Sequence, residues 1–239
     1  MNIIADTHTH TLASTHAYST VLENAKYASE TGIKYLGVTD HAPKMKDAPH
    51  IWHFMNLHQI PDELFGVKIL RGAEINILDT EANVDLPDDV LKDLDWIVCS
   101  FHPIERQFSK DELTKAYLKV AENPFVDVIG HSGRSGDYDH ELCIKKFAEN
   151  NKLVEINEAS FFWEKTISAC RDIALICKKL NCRICVNTDS HFAYKIGHVD
   201  KAFQLLNDID FPKELIVNAD IDRFENYLEE RKKRINSIL

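Results

Sequence analysis

What most constrains this chain is a recurring alternation of short, apolar, β-rich runs with stretches of helical spacing. The runs are Ile3–His8, Tyr35–His41, Lys68–Ile77, Trp96–His102, Val126–His131, Leu153–Asn157 and Arg183–Asp189. Helical patterns cover Ser19–Thr31, Lys110–Glu122, His140–Asn150, Lys165–Leu180, Val199–Ile209 and Asp222–Ile238. Strands alternating with helices predict a parallel sheet joined by right-handed crossovers. About seven such units, with no Pro/Gly/Ser-rich linker, internal repeat or low-complexity tract, predict one α/β domain over 1–239. A closed or distorted barrel is the expected form, and a doubly wound open sheet is the alternative. Asn150, Asn151 and Asn181 stand where helix C-caps are expected.

The chain has 239 residues, 44% of them hydrophobic, enough to bury one sizeable core. No run of about 18 apolar residues is present to span a bilayer, and the start MNIIADTHTH lacks the pattern of a signal peptide. The expectation is a soluble, cytoplasmic protein whose six cysteines stay reduced. Cys182 and Cys185 have the spacing of half a zinc or redox motif. They lie in an apolar run, however, where residues three apart face opposite ways, and are read as buried hydrophobes.

Acidic residues outnumber basic ones, 38 to 28, for a net charge of −10. That balance disfavours extended nucleic acid as a partner. The basic run Arg231-Lys232-Lys233-Arg234 is read as the solvated last turn of a C-terminal helix. No Gly-rich phosphate loop follows any strand, which argues against a nucleotide cofactor.

The placement of the twelve histidines is more informative. His8 and His10 close the first run, His41 the second, His102 the fourth and His131 the fifth, while Asp189 and His191 close the last. Glu74 sits near the end of the third. In a parallel barrel these strand ends share one rim, so residues remote in sequence converge. His8 and His10 are two apart, as are Asp189 and His191, so each pair projects from one face of its strand toward a common ion. A single strand-end histidine is ordinarily satisfied by a hydrogen bond. Repetition at one rim instead predicts a metal centre, because each unpaired buried polar group would carry a desolvation cost. Imidazole with carboxylate suits zinc, iron or manganese.

The stretches Asp6–His10, Ser14–Thr20, Thr39–His41, Asp47–Phe54, Leu70–Asn76, Glu155–Asn157 and Asp189–His191 closely resemble the PHP (polymerase and histidinol phosphatase) family, in its YcdX-like phosphatase branch. The resemblance implies a distorted (β/α)7 barrel that binds three divalent ions, zinc first, with manganese or iron as alternatives. It matches His8, His10, Glu74 and Asp189 to one site. Glu74 bridges to a second, completed by His102 and His131, and His16, His41 and His191 form a third. Glu74, Asp189 and His191 are the expected catalytic residues. The stretches around His102 and His131 look less like that branch than the others do. The resemblance also suggests a homo-oligomer, a trimer.

The expected activity is hydrolysis of phosphate monoesters on small molecules by hydroxide generated at the metal centre, with no side-chain nucleophile. Divalent ions acidify bound water and clamp the attacking and leaving oxygens of an in-line displacement. Histidinol-phosphate phosphatase, and exonuclease or pyrophosphatase activity, use the same chemistry and are the enzymatic alternatives. A metal-storage or phosphate-sensing protein is the non-enzymatic one. Asp6 and Asp40 are expected to orient ligand rings from behind. His50 and His53, beside Trp52, are expected at the substrate rim, and Arg134 is expected to grip a phosphate oxygen. His58, His140 and His198 read as surface residues, and the stripe Trp163, Ile167, Cys170, Ile173, Ala174 as core packing.

Overall fold

The computed structural model describes residues 2–238. Strands β1 (Ala5–Asp6), β2 (Tyr35–Val38), β3 (Glu63–Leu64), β4 (Val67–Asn76), β5 (Trp96–Ser100), β6 (Val128–Ile129), β7 (Leu153–Asn157) and β8 (Ile184–Asn187) form one sheet. Its path runs β1-β2-β4-β5-β6-β7-β8, every pair parallel, with β3 added antiparallel to β4. The helices are α1 (Val21–Thr31), α2 (Trp52–Met55), α3 (Asp88–Leu91), α4 (Lys110–Val120), α5 (His140–Glu149), α6 (Glu164–Leu180), α7 (Asp200–Asp208) and α8 (Ile221–Asn236). No described helix is long and apolar enough to cross a membrane.

The sheet curls into a nearly closed barrel of seven parallel strands, which settles the choice against an open sheet. At the rim, Thr9 bridges to Ser190, and the His10 amide donates to the Ser190 carbonyl at 2.8 Å. Lower down, β1 and β8 share no ladder. Asn218 fills the gap: its Nδ2 donates to the Ala5 and Val186 carbonyls at 2.7 and 2.6 Å, and its Oδ1 accepts from the Val186 amide at 2.9 Å. A side-chain amide offers the same donor and acceptor as a peptide, so buried strand edges stay paired where the ladder is missing.

Local signals account for the helix bounds. Thr20 with Glu23 and Ser109 with Glu112 form capping boxes at the starts of α1 and α4. Asn181 ends α6 at φ +52°, a left-handed conformation that Asn tolerates. The strands are shorter than the apolar runs predict, so His8, His10, His102 and His131 lie on the loops just beyond strand ends.

Along each strand the inward row changes from apolar to polar. On β4 it reads Leu70, Gly72, Glu74, Asn76; on β7, Leu153, Glu155, Asn157; on β8, Cys185 then Asn187. The apolar ends join Tyr35, Trp96 and Val128 in a core plugged by Phe224 and Tyr227 of α8, and a larger apolar layer packs the helices on the barrel. The polar ends are left facing the opposite mouth. Cys182 and Cys185 are both buried, one in each core layer.

Two readings, one of surface and one of core, are corrected. Arg231 is buried and donates to Asp127 at 2.8 Å, joined there by Arg234 at 2.5 Å. The helix end is therefore a clamp on a buried carboxylate, and only Lys232 and Lys233 of that run are exposed. Trp163 precedes α6 in an extended conformation instead of riding its inner stripe, and is 55% exposed. Cys170, Ile173 and Ala174 of that stripe do pack in the core.

Candidate metal centre

Glu74 stands at the centre of the polar mouth, 1% exposed. Its Oε2 lies 3.3 Å from His8 Nε2, 3.4 Å from His41 Nε2 and 3.6 Å from His10 Nε2. Its Oε1 lies 2.8 Å from His131 Nε2 and 3.8 Å from His102 Nε2. Asp189 faces the same rings from the segment just after β8, 3.1 Å from His10 Nε2 and 3.6 Å from His8 Nε2. Both carboxylates are thus shared among several imidazoles.

Groups whose ligand atoms all lie within 4.8 Å of one another are His8/His10/Glu74, His8/His131/Asp189, Glu74/His102/His131, His10/His41/His191 and His16/His41/Asp47. All nine residues expected as ligands fall in these groups. The outermost set differs from the sequence reading: His41 pairs inward with His10 and His191 or outward with His16 and Asp47. His16 and His191 still lie ring against ring, with centroids 4.3 Å apart.

The ring tautomers give the cluster a direction. His8 Nδ1 is held by Glu155 Oε1 at 2.8 Å, His16 Nδ1 by Asp47 Oδ2 at 2.8 Å, His102 Nδ1 by Asn76 Oδ1 at 2.7 Å, and His191 Nδ1 by the Asp189 carbonyl at 3.0 Å. A ring that donates from Nδ1 presents a lone pair at Nε2. His8 Nε2 and His191 Nε2 are buried without a hydrogen-bond partner. His8 Nε2 faces both Glu74 and Asp189, and His191 falls in one ligand group with His10 and His41, so a cation at each place would satisfy these unpaired buried atoms.

Electrostatics agree. Burial, helped by His41 and His191 at His10 and by His131 and Arg134 at His102, holds both rings down to about 4 against the pull of the carboxylates, keeping them neutral and able to coordinate. Burial also opposes charge on Glu74, but His8, His102 and His41 outweigh it and hold the carboxyl well below its ordinary range. His8 moves the other way: against the cost of burial, Glu155, Glu74 and Asp189 carry it well above its usual value. There a proton answers the field of three carboxylates, as a metal ion would.

Backbone strain gathers at the same place. His131 has φ +23° and Asp189 φ +54°, left-handed conformations that cost non-glycine residues about 1 kcal/mol or more. A Cβ on Gly130, just before His131, would lie 2.2 Å from Ser100 Oγ, whose hydroxyl donates to Glu74 at 2.6 Å. Glycine lets β6 approach that hydrogen bond.

The supporting residues are placed differently from the sequence reading. Asp6 touches no ring. It accepts from the Thr188 amide at 3.1 Å, the Thr188 hydroxyl at 2.6 Å and the Gly197 amide at 3.0 Å, bracing the segment that carries Asp189. Asp40 holds Thr11 and Ser14, and Ser14 Oγ lies 3.4 Å from His10 Nδ1. The cleft above the cluster, ≈ 340 Å³, is walled by candidate ligands together with Met45, Phe101, Pro103, Arg134, Ser135 and Trp163. Arg134 is paired with Asp189 at this wall. His50 and His53 do not line it: His50 is exposed, and His53 Nε2 sits 3.4 Å from Asp40.

Sequence reasoning missed the roles of Glu155, Asp47 and Asn76. Glu155 also accepts from the His131 amide at 2.7 Å and from Asn187 Nδ2 at 2.9 Å. A carboxylate or amide inside an otherwise apolar strand is the signal that marks Glu155, Asn157 and Asn187.

A family model described as "PHP domain" matches residues 6–236. The chain belongs to the PHP family. Among curated proteins, one named "Probable phosphatase" from Clostridium novyi is 45% identical over 237 residues, covering 98% of this chain and 97% of that protein. Another, from Photobacterium profundum and also named "Probable phosphatase", is 44% identical, covering 100% and 99%. Among solved structures, histidinol phosphate phosphatase from Lactococcus lactis, complexed with zinc, L-histidinol and phosphate, superposes with a TM-score of 0.62. That pair is 20% identical, covering 87% of this chain and 94% of the other. An archaeal ribonuclease P structure with mature tRNA contains a chain matching at TM-score 0.62 and 15% identity, covering 95% and 91%. Likenesses at these identities show that the fold is shared.

Proposed function

We propose that this PHP protein is a metal-dependent hydrolase of phosphate monoesters on small molecules, working at a cluster of three divalent ions. The observation that carries the reading is the gathering of the Nε2 atoms of His8, His10, His41, His102 and His131 around the buried Glu74 carboxylate, with Asp189 beside them, beneath an open cleft. His8, His10, Glu74 and Asp189 would hold one ion, Glu74, His102 and His131 a second, and His16, His41 and His191 a third. Zinc is the first expectation from the donor set, with manganese or iron as alternatives.

Bound ions would supply an acidified water and a positive clamp for phosphate oxygens. The chain's own residues do the positioning. Glu74 and Asp189 would offset the positive charge that bound ions bring. Glu155, Asp47 and Asn76 lock ring orientations, so that little reorganisation accompanies reaction. Arg134, at the cleft wall, would present its planar fork to a non-bridging oxygen of the substrate.

The name shared by the relatives that align end to end supports phosphatase chemistry over metal storage. The net charge of −10 weighs against a polynucleotide substrate. Turnover of p-nitrophenyl phosphate against bis-(p-nitrophenyl) phosphate by metal-loaded protein tests the reading. A monoesterase should prefer the first by about 100-fold or more. Preference for the diester would instead favour a nuclease-like activity, and inertness toward both would favour storage or sensing.

A further inference from the structure

Beyond the wall formed by Arg134, Asp189 and His191 lies a second cleft of ≈ 450 Å³, bordered also by Glu158, Thr188, Lys195, His198 and Lys201. The same three wall residues line the cleft over the metal cluster, so the two spaces adjoin. Both carboxylates of the second cleft are engaged: Asp189 by Arg134 and His10, Glu158 by the backbone amides of Lys201 and Ala202 at 3.3 and 2.8 Å. The ammonium groups of Lys195 and Lys201 have no ion-pair or hydrogen-bond partner among the described residues and are exposed at the cleft's edge. In a chain of net charge −10, two uncommitted cations beside a phosphate-directed centre make a local field that favours anions.

This edge is also fixed relative to the metals. Lys195 ends the short turn Ala193–Lys195, and Lys201 lies in the first turn of α7. Both follow closely on Asp189 and His191, and Asp6 ties Thr188 to Gly197 across the intervening chain. An ester with its phosphoryl group at the cluster would therefore find the lysines at a set distance.

We propose that the second cleft is a subsite for a second anionic group on the substrate, held by Lys195 and Lys201. The preferred substrates are then small phosphate esters that carry a further phosphate or carboxylate. This rests on the phosphatase reading and deepens it to a substrate class.

The test compares matched probes, fructose 1,6-bisphosphate with fructose 6-phosphate and 3-phosphoglycerate with glycerol 3-phosphate. Binding to metal-loaded protein is measured by calorimetry, and turnover is measured separately. Wild type should bind the doubly anionic member of at least one pair about tenfold more tightly, a margin suited to two exposed ion pairs. The margin should shrink at high salt. Lys195→Ala/Lys201→Ala should abolish the preference and Lys195→Arg/Lys201→Arg should keep it, with metal content unchanged in both. A gain confined to the bisphosphate or to the carboxylate pair identifies the second group. Equal binding within both pairs, or a preference that survives the double alanine change, overturns the proposal. If the lysine-dependent preference is present but no probe is turned over, the subsite stands and the phosphatase reading fails.

Discussion

Glu155 Oε1 holds His8 Nδ1 at 2.8 Å, while its other oxygen accepts the His131 amide at 2.7 Å. One buried carboxylate thus sets two members of the cluster from opposite sides. Burial opposes its charge, but His8 and His131 hold it down to about 2. Glu155→Gln should leave the barrel folded and weaken metal binding by about 10- to 100-fold, the usual cost of losing an outer partner. Competition with a chelator measures this. Unchanged affinity would mean that packing alone orients His8.

Glu74→Gln should lower metal content and turnover together, with activity reduced by roughly 100-fold or more. The amide loses one of the central negative charges and bridges poorly. Elemental analysis showing full occupancy with unchanged turnover would refute the bridging role.

How much of this was legible in the sequence depended on the range of the signal. His8, His10, Glu74 and Asp189 stood out because strand periodicity and a shared rim need only local pattern plus barrel topology. Asp47 and Glu155 were visible within motif stretches, but their partners, His16 and His8, lie 31 and 147 residues away. Arg231 was misread for the same reason, since Asp127 lies 104 residues distant. Trp163 was misread because helical spacing was counted one residue before the helix begins. His53 lies on the short helix α2, absent from the periodicity, beside Asp40 and outside the lining of the cleft.

His16 lies at the outer edge of the cluster, with its side chain 53% exposed and held by Asp47. His16→Ala should therefore empty one site and leave the inner ions largely in place, with a partial loss of activity. Counting ions per chain in the variant checks this. Equal loss of every ion would show a single cooperative cluster.

Lys152 offers a pH test remote from the metals. Burial, then Arg234, pushes its ammonium down to about 7, although it donates to the Asn123 and Val126 carbonyls at 2.6 and 2.8 Å. Asp127 and Cys99 favour its charge and Arg231 opposes it. Between pH 7 and the unfolded value of 10.5 the unfolded chain holds a proton that the folded chain lacks. Stability should therefore rise with pH in that window, by at most about 1.4 kcal/mol per pH unit. Urea midpoints for wild type and Lys152→Met at pH 7, 8 and 9 should diverge in the wild type's favour. Parallel curves would place the folded lysine at an ordinary pKa.

The most direct measurement of the central claim is a metal titration of chelator-stripped protein, following ions bound per chain alongside turnover of p-nitrophenyl phosphate. The account predicts negligible turnover when stripped, with full activity reached only as the third equivalent binds. Turnover that survives stripping, or that saturates at a single ion per chain, would contradict it.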